Sequence, residues 1–239
     1  MQAIYQPKGA AREYGEYACN LYRGCTNGCR YCYGPAVLRI PREEFHASAV
    51  LRPGIMAQLD KDAAKLPKGT RVHMCFTCDP APERGAYPLR EALGILDAHG
   101  LAAQVLTKNP GFLDLNFLQP GRDELWTTIS TPFDDEADHW EPGAEIPSLR
   151  LKALWLADQR GITTRISLEP VVNPSGALVL LDRVKDMGLN VAEIKVGKWN
   201  YCPEAGLTNW PALRVQIADK ARALGLNVTF KESMGGRQA

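Results

Sequence analysis

Gly24-Cys25-Thr26-Asn27-Gly28-Cys29-Arg30-Tyr31-Cys32-Tyr33 sets three cysteines within eight residues at the spacing C-x3-C-x2-C. Cysteine thiolates are the usual ligands of a four-iron cluster. A turn this tight can aim three sulfurs at three corners of one cube while Gly24 and Gly28 relieve the backbone. Three ligands leave one iron open, and a small molecule bound there turns an electron carrier into a catalyst. Two other readings stand beside this one. A structural zinc closes with four ligands, and the further ones would have to come from His46 or from the pair Cys75 and Cys78. Three merely buried thiols would suit an apolar core segment better than this glycine-bearing turn.

Outward from the turn, the sequence alternates. Short apolar, partly β-branched runs at 18–21, 72–77, 102–106, 125–129, 163–168, 191–196 and 227–230 read as strands. Helical spacing fills 54–66, 89–99, 113–118, 148–159, 177–187 and 210–224. Asn173, Pro174 and Ser175 precede one helix, and Gly100, Gly161, Gly188 and Gly225 follow four others, where a left-handed residue closes a helix. Strands alternating with helices imply parallel pairing through right-handed crossovers, hence an open doubly wound sheet or a barrel. Polar residues decide for the barrel, because they fall at the carboxyl ends of nearly all the strands. These are Cys25, then Thr77, Cys78 and Asp79, then Lys108, Ser130 and Thr131, Glu169, then Lys195, Lys198 and Asn200, and finally Lys231. The expected fold is α/β, an incomplete (β/α) barrel of about six parallel β/α units with the active site at the carboxyl ends of the strands.

The 239 residues, 45% of them hydrophobic, suffice for one sizeable core, and no repeat or flexible tether divides them. One domain over 1–239 is expected, with the cysteine turn at 24–33 and a short carboxyl-terminal segment at 226–239. Lys and Arg total 28 against 27 Asp and Glu, so a formal charge of +1 gives no global field to gather a polyanion. The stretch MQAIYQPKGAAREYGEY lacks the apolar run of a signal peptide, and no later stretch has the roughly 18 apolar residues of a membrane span. Seven cysteines, an odd number, suit metal ligation in a reducing compartment better than a disulfide framework. A cytoplasmic protein without a membrane partner is expected.

The cysteine turn resembles the cluster motif of the radical S-adenosylmethionine (SAM) superfamily. Its setting, Asn20-Leu21-Tyr22-Arg23-Gly24-Cys25 through Cys32-Tyr33, is similar to the spore photoproduct lyase-like (DNA repair photolyase-like) branch. Thr77-Cys78-Asp79-Pro80, Leu106-Thr107-Lys108, Ile129-Ser130-Thr131-Pro132, Glu141-Pro142 with Leu149-Arg150-Leu151, and Leu168-Glu169-Pro170 occur in the order of that branch, so the resemblance runs from about Tyr14 to about Val196.

The resemblance implies that Cys25, Cys29 and Cys32 hold a [4Fe-4S] cluster whose open iron chelates SAM. Reductive cleavage of SAM then yields a 5'-deoxyadenosyl radical that takes a hydrogen atom from an unactivated carbon. It implies Tyr31 near the adenine, Lys108 with the SAM carboxylate, and Ser130 and Glu169 near its ribose, methionine or amino parts. It also implies that Cys75 or Cys78 returns a hydrogen atom to the product radical, with Tyr33 as a relay. Strand alternation puts Cys75 and Thr77 on one face and Phe76 and Cys78 on the other, so at most one of the two cysteines is expected to face the pocket.

A flavodoxin or ferredoxin is the electron donor implied. A nucleobase, nucleotide or nucleic acid is the substrate class implied, with a peptide or small metabolite as the alternative and a noncatalytic iron-sulfur or zinc protein as another. The chain continues only briefly past Lys231, so little is expected of the carboxyl-terminal region with which the lyase holds damaged DNA. The run from Lys195 through Gly197, Lys198, Trp199, Asn200 and Tyr201 to Cys202 reads as an anchor for a base or phosphate, or as a loop whose Trp199 plugs the barrel. Cys19 reads as core, and Cys202 has no assigned part.

Overall fold

A computed structural model describes residues 2–199 and 206–235. In chain order its elements are β1 (Ile4–Tyr5), β2 (Tyr17–Cys19), β3 (Tyr22–Arg23), α1 (Gly34–Leu38), α2 (Arg42–Ala47), β4 (Val50–Leu51), α3 (Ile55–Ala63), β5 (Arg71–Met74), α4 (Tyr87–Ala98), β6 (Ala102–Thr107) and β7 (Glu124–Thr128). They continue with α5 (Asp134–Trp140), α6 (Pro147–Asp158), β8 (Thr163–Leu168), α7 (Pro174–Asp186), β9 (Val191–Val196), α8 (Trp210–Leu224) and β10 (Val228–Phe230).

The main sheet runs β1-β2-β5-β6-β7-β8-β9-β10, parallel throughout except for β1, which pairs antiparallel with β2. Strands succeed one another in chain order with no reversal, which is the winding of a barrel and not of a doubly wound sheet. Its two outermost strands do not pair, so the barrel stays open. β3 and β4 form a separate two-stranded ribbon beside the cysteine turn.

Alternation gives the sheet two unlike faces. Val72, Met74, Ala103, Val105, Leu125, Ile166, Leu168, Ile194 and Val196 join the apolar core under the helices. The concave face is polar. His73 accepts from the Gln104 amide at 2.9 Å, Arg165 pairs with Glu124 at 3.1 Å and with Glu193 at 2.7 Å, and Arg71 reaches Glu124 at 3.2 Å. The Tyr14 ring inserts into this lumen, edge-on to Trp126 at 5.6 Å and beneath the Lys195 and Lys231 ammonium groups.

Helix boundaries obey local chemistry. Asn173 caps α7 by accepting from the Gly176 amide, Asn209 caps α8 through Ala212, and each helix has proline in its first turn. Gly100, Gly161, Gly188 and Gly225 all adopt positive φ. The connection between β6 and β7 departs from expectation. In place of a helix over 113–118 it holds two 3-10 turns, Pro110–Phe112 and Leu115–Phe117. Asp114 accepts from the Asn116 amide, a local bond that competes with helical pairing. Among the described residues no helix is long and apolar enough to cross a membrane.

Candidate active site

Register aligns the carboxyl ends of the strands. Met74 pairs with Cys19 and Val105, Thr107 with Thr127, Thr128 with Ser167, and Val196 with Leu168 and Phe230. The loops that leave these strand ends therefore emerge on one rim, around a cavity of about 750 Å³. A volume of this order suits a cofactor-sized ligand. A smaller cavity of about 400 Å³ lies at the amino end, where Arg71, His73 and Gln104 line it, and Tyr14 contributes to the walls of both.

Cys25, Cys29 and Cys32 all line the larger cavity. Their turn is gripped from two sides. Gly24, at φ +77, approaches α2 so closely that a Cβ there would lie 2.1 Å from the Ser48 carbonyl oxygen, and the Cys25 amide donates to the Phe45 carbonyl at 3.0 Å. Arg42 donates to the Cys29 and Cys32 carbonyls at 2.8 and 2.9 Å, and His46 Nδ1 lies 2.8 Å from the Cys25 carbonyl. Across the turn, the Gly143 amide donates to the Asn27 carbonyl at 3.0 Å, and a Cβ on Gly143 would strike the Thr26 carbonyl.

Asp79, just past β5, fastens the turn to the sheet. Its carboxylate accepts from the Asn27 side chain at 2.9 Å, the Thr107 hydroxyl at 2.6 Å, the Lys108 amide at 2.8 Å and the Ala81 amide at 2.9 Å. Asn109 completes the knot, donating to Asn27 and to the Ala81 carbonyl.

Burial raises the thiols of Cys25, Cys29 and Cys32, Cys29 up to about 12, so that a proton-free sulfur needs a cationic partner. Backbone amides are already aimed at two of them, from Asn27 to Cys25 and from Gly34 to Cys32. Three desolvated sulfurs, two of them with amide donors, and no acidic residue in the turn itself fit a cluster, which would supply positive metal to each. Among the described residues no three His, Cys, Asp or Glu side chains are drawn together closely enough to share one metal ion. A four-iron cluster makes a different demand, one thiolate to each of three irons.

Tyr31 and Lys108 line the same cavity, with the ammonium 5.6 Å from the ring centroid. The Tyr31 hydroxyl donates to Glu141, a fully buried carboxylate that also accepts from Ser130 at 2.8 Å and pairs with the fully buried Arg150 at 2.5 Å. Burial raises the Glu141 carboxyl, and Arg150 opposes the rise. Ser130 thus sits behind the cavity wall, its hydroxyl engaged. Glu169 lines the cavity, with its carboxylate 2.9 Å from Lys231 and accepting from the Tyr14 hydroxyl at 2.7 Å.

Thr131 and Lys195 do not line the cavity. The Thr131 hydroxyl donates to Glu136, and the Lys195 ammonium donates to the Glu13 carbonyl inside the lumen. Lys198 and Trp199 do line it, the buried indole packing edge-on against Trp140 at 4.9 Å, while Asn200, Tyr201 and Cys202 lie outside the described residues.

Cys75 and Cys78 both line the cavity, contrary to the alternation expected of them. β5 ends at Met74, three residues short of the expected 77, and Cys75 takes φ +68, so the two-residue period stops before the cysteines. Burial and the neighbouring Cys78 raise the Cys75 thiol well above the usual range. Tyr33 lines the cavity nearby, its hydroxyl donating to the Phe76 carbonyl at 2.6 Å. Sequence reasoning missed the roles of Asn20, Asn27, Asn109 and Tyr14. Their partners are distant in the chain, and a short polar side chain carries no periodic signal.

No family model matches the chain, and no curated protein does. Among solved structures, a spore photoproduct lyase mutant with dinucleoside spore photoproduct superposes with a TM-score of 0.71 at 16% identity, covering 95% of this chain and 80% of that one. Another lyase mutant, with bound AdoMet and dinucleoside spore photoproduct, gives 0.65 at 18% identity over 90% and 64% of the two chains. SuiB of Streptococcus suis bound to S-adenosylmethionine gives 0.65 at 12% identity over 90% and 49%. At these identities the likeness is one of fold: the chain shares the incomplete barrel of spore photoproduct lyase and SuiB.

Proposed function

We propose that this chain is a radical SAM enzyme acting on a nucleobase or nucleotide lesion, similar in chemistry to spore photoproduct lyase. The observation that carries the reading is that Cys25, Cys29, Cys32 and Lys108 face one cavity at the carboxyl ends of the parallel strands. Bound by the three thiolates, a [4Fe-4S] cluster with SAM on its open iron would supply a 5'-deoxyadenosyl radical able to take a hydrogen atom from carbon.

The chain's own residues bind, orient and exclude water. The Lys108 ammonium pairs with the SAM carboxylate, since no carboxylate among the described residues engages it and it stands close enough to Cys29 to favour that thiolate. Tyr31, held through its hydroxyl by Glu141, offers its ring to the adenine. Glu169, fixed by Lys231 and Tyr14, accepts from ribose hydroxyls. Ser130 positions Glu141 through its hydroxyl. Cys75 or Cys78 gives a hydrogen atom to the substrate carbon radical, an S–H bond breaking as a C–H bond forms, and Tyr33 restores the thiol by giving up its phenolic hydrogen atom and taking the radical as a phenoxyl.

The solved lyase that holds a dinucleoside lesion supports the nucleotide class, as do the aromatic walls offered by Tyr33, Phe76 and Trp199. A flavodoxin or ferredoxin supplies the electron, and the work is cytoplasmic, where such carriers and free thiols persist. The test is anaerobic loading with iron and sulfide, then addition of SAM and a strong reductant, with and without dinucleoside spore photoproduct. The expected products are 5'-deoxyadenosine and repaired dinucleoside. Formation of 5'-deoxyadenosine with the lesion untouched removes the substrate class, and no 5'-deoxyadenosine at full cluster loading removes the activity.

A further inference from the structure

Where β5 ends, the chain bends through residues 76–78 and brings two cysteines to one place. The bend is clamped from the first parallel strand outward. The Cys75 amide donates to the Cys19 carbonyl at 2.9 Å, and the Leu21 amide donates to Cys75 Sγ at 3.4 Å. Asn20 Oδ1 accepts from the Phe76 and Thr77 amides at 2.7 and 3.1 Å. Cys75 itself sits at φ +68, a conformation glycine adopts freely and a side-chain-bearing residue adopts at a cost. A cysteine held there against its backbone preference points to the sulfur as what the position provides. Cys75 and Cys78 both line the large cavity, and the Cys78 thiol lies near enough to raise that of Cys75.

We propose that Cys75 and Cys78 close reversibly into a disulfide, which switches off hydrogen donation from this wall of the cavity. The disulfide stands on the geometry of the bend alone, and its consequence for donation rests on the proposed radical chemistry. Residues three apart across a bend can meet the separation that a disulfide requires. Cys78 is the less buried of the two and meets an incoming low-molecular-weight disulfide first. Its thiolate attacks one sulfur, and a mixed disulfide forms as one small thiol leaves. Cys75 then attacks the Cys78 sulfur and the second small thiol leaves. The cysteine pair loses two electrons and two protons, and the small disulfide is reduced to two thiols. Cys19 is fully buried in β2, so the pair closes without it.

The test uses the full chain, loaded with iron and sulfide under argon and titrated with oxidised glutathione, then quenched in acid, alkylated and mapped by mass spectrometry. Iron is counted in each sample. The expected result is loss of two hydrogens from the peptide holding both cysteines, protection of both from alkylation, and reversal by dithiothreitol with iron retained. Cys75→Ser should instead trap glutathione on Cys78. Two fully alkylated thiols throughout the titration, or a disulfide that includes Cys19, overturn the pair. Formation of 5'-deoxyadenosine, read separately in reduced samples, reports on the radical reading: its absence beside a normal disulfide sinks that reading and leaves the pair standing.

Discussion

The Asn27 side-chain amide donates to Asp79 at 2.9 Å, tying the turn that carries the three cysteines to the carboxyl end of β5. Asp79 accepts three further hydrogen bonds, so its carboxylate holds together segments that meet only in the fold. Asp79→Ala would strand these buried donors at a cost on the order of 3 kcal/mol. Urea unfolding should show that loss, and the variant should retain several-fold less iron per chain after loading. Unchanged iron content would mean that the turn orders itself.

Glu141 and Arg150 are both fully buried and pair at 2.5 Å. Removing one partner leaves an uncompensated charge, so Arg150→Met is expected to cost roughly 3–5 kcal/mol. The double variant Glu141→Leu with Arg150→Met should recover much of that stability in urea melts. It should still bind SAM more weakly than the parent, because Tyr31 loses its acceptor.

Burial of His73, with its Nδ1 accepting from Gln104, takes the imidazole from its usual 6.5 down to about 3. Between those values the unfolded chain binds a proton that the folded chain refuses. Stability contributed by the neutral ring is therefore full above about pH 6.5 and is lost as pH falls toward 3, with a slope of about 1.4 kcal/mol per pH unit in between. Denaturant titrations at pH 4, 5 and 6 should show His73→Gln with a slope shallower by about that amount. Equal slopes would mean that the ring takes up its proton without unfolding.

Lys108→Met should raise the SAM concentration needed for half-maximal 5'-deoxyadenosine formation by about 10- to 100-fold, the value of a charge-assisted hydrogen bond of roughly 1.5–3 kcal/mol. Lys108→Arg should restore part of the loss. A change in turnover alone, with binding intact, would remove the lysine from the carboxylate.

Hydrogen return by the Cys75 and Cys78 wall would show in product partitioning. Replacing each with Ala should divert product toward aborted adducts in one variant at least, while SAM cleavage continues. Unchanged partitioning in both variants would place the donor elsewhere.

The barrel was legible because short apolar runs alternate with helical stretches that end in glycines of positive φ, as at Gly161 and Gly225, and because polar residues collect at the strand ends. The cysteine turn was legible as one unit facing the cavity because its spacing is local. What the sequence concealed is short or long-range. β1, β3 and β4 each have two residues and no period to read, and α1 and α2 are too short for an apolar face. Arg150 reads as one charge on a helix until Glu141 meets it in the interior. Cys75 defeats the alternation because one positive φ redirects the chain, an event with no signature in residue type.

Under the proposed function, three thiolates leave one iron free for the amino and carboxylate groups of SAM. Electron-nuclear double resonance on the reduced, loaded protein reads that vertex itself, using SAM that carries 17O in its carboxylate and 15N in its amino group. Hyperfine coupling to both labels is the expected result, lost in Cys29→Ala. A reduced cluster that couples to neither label while SAM saturates the protein would contradict the proposal.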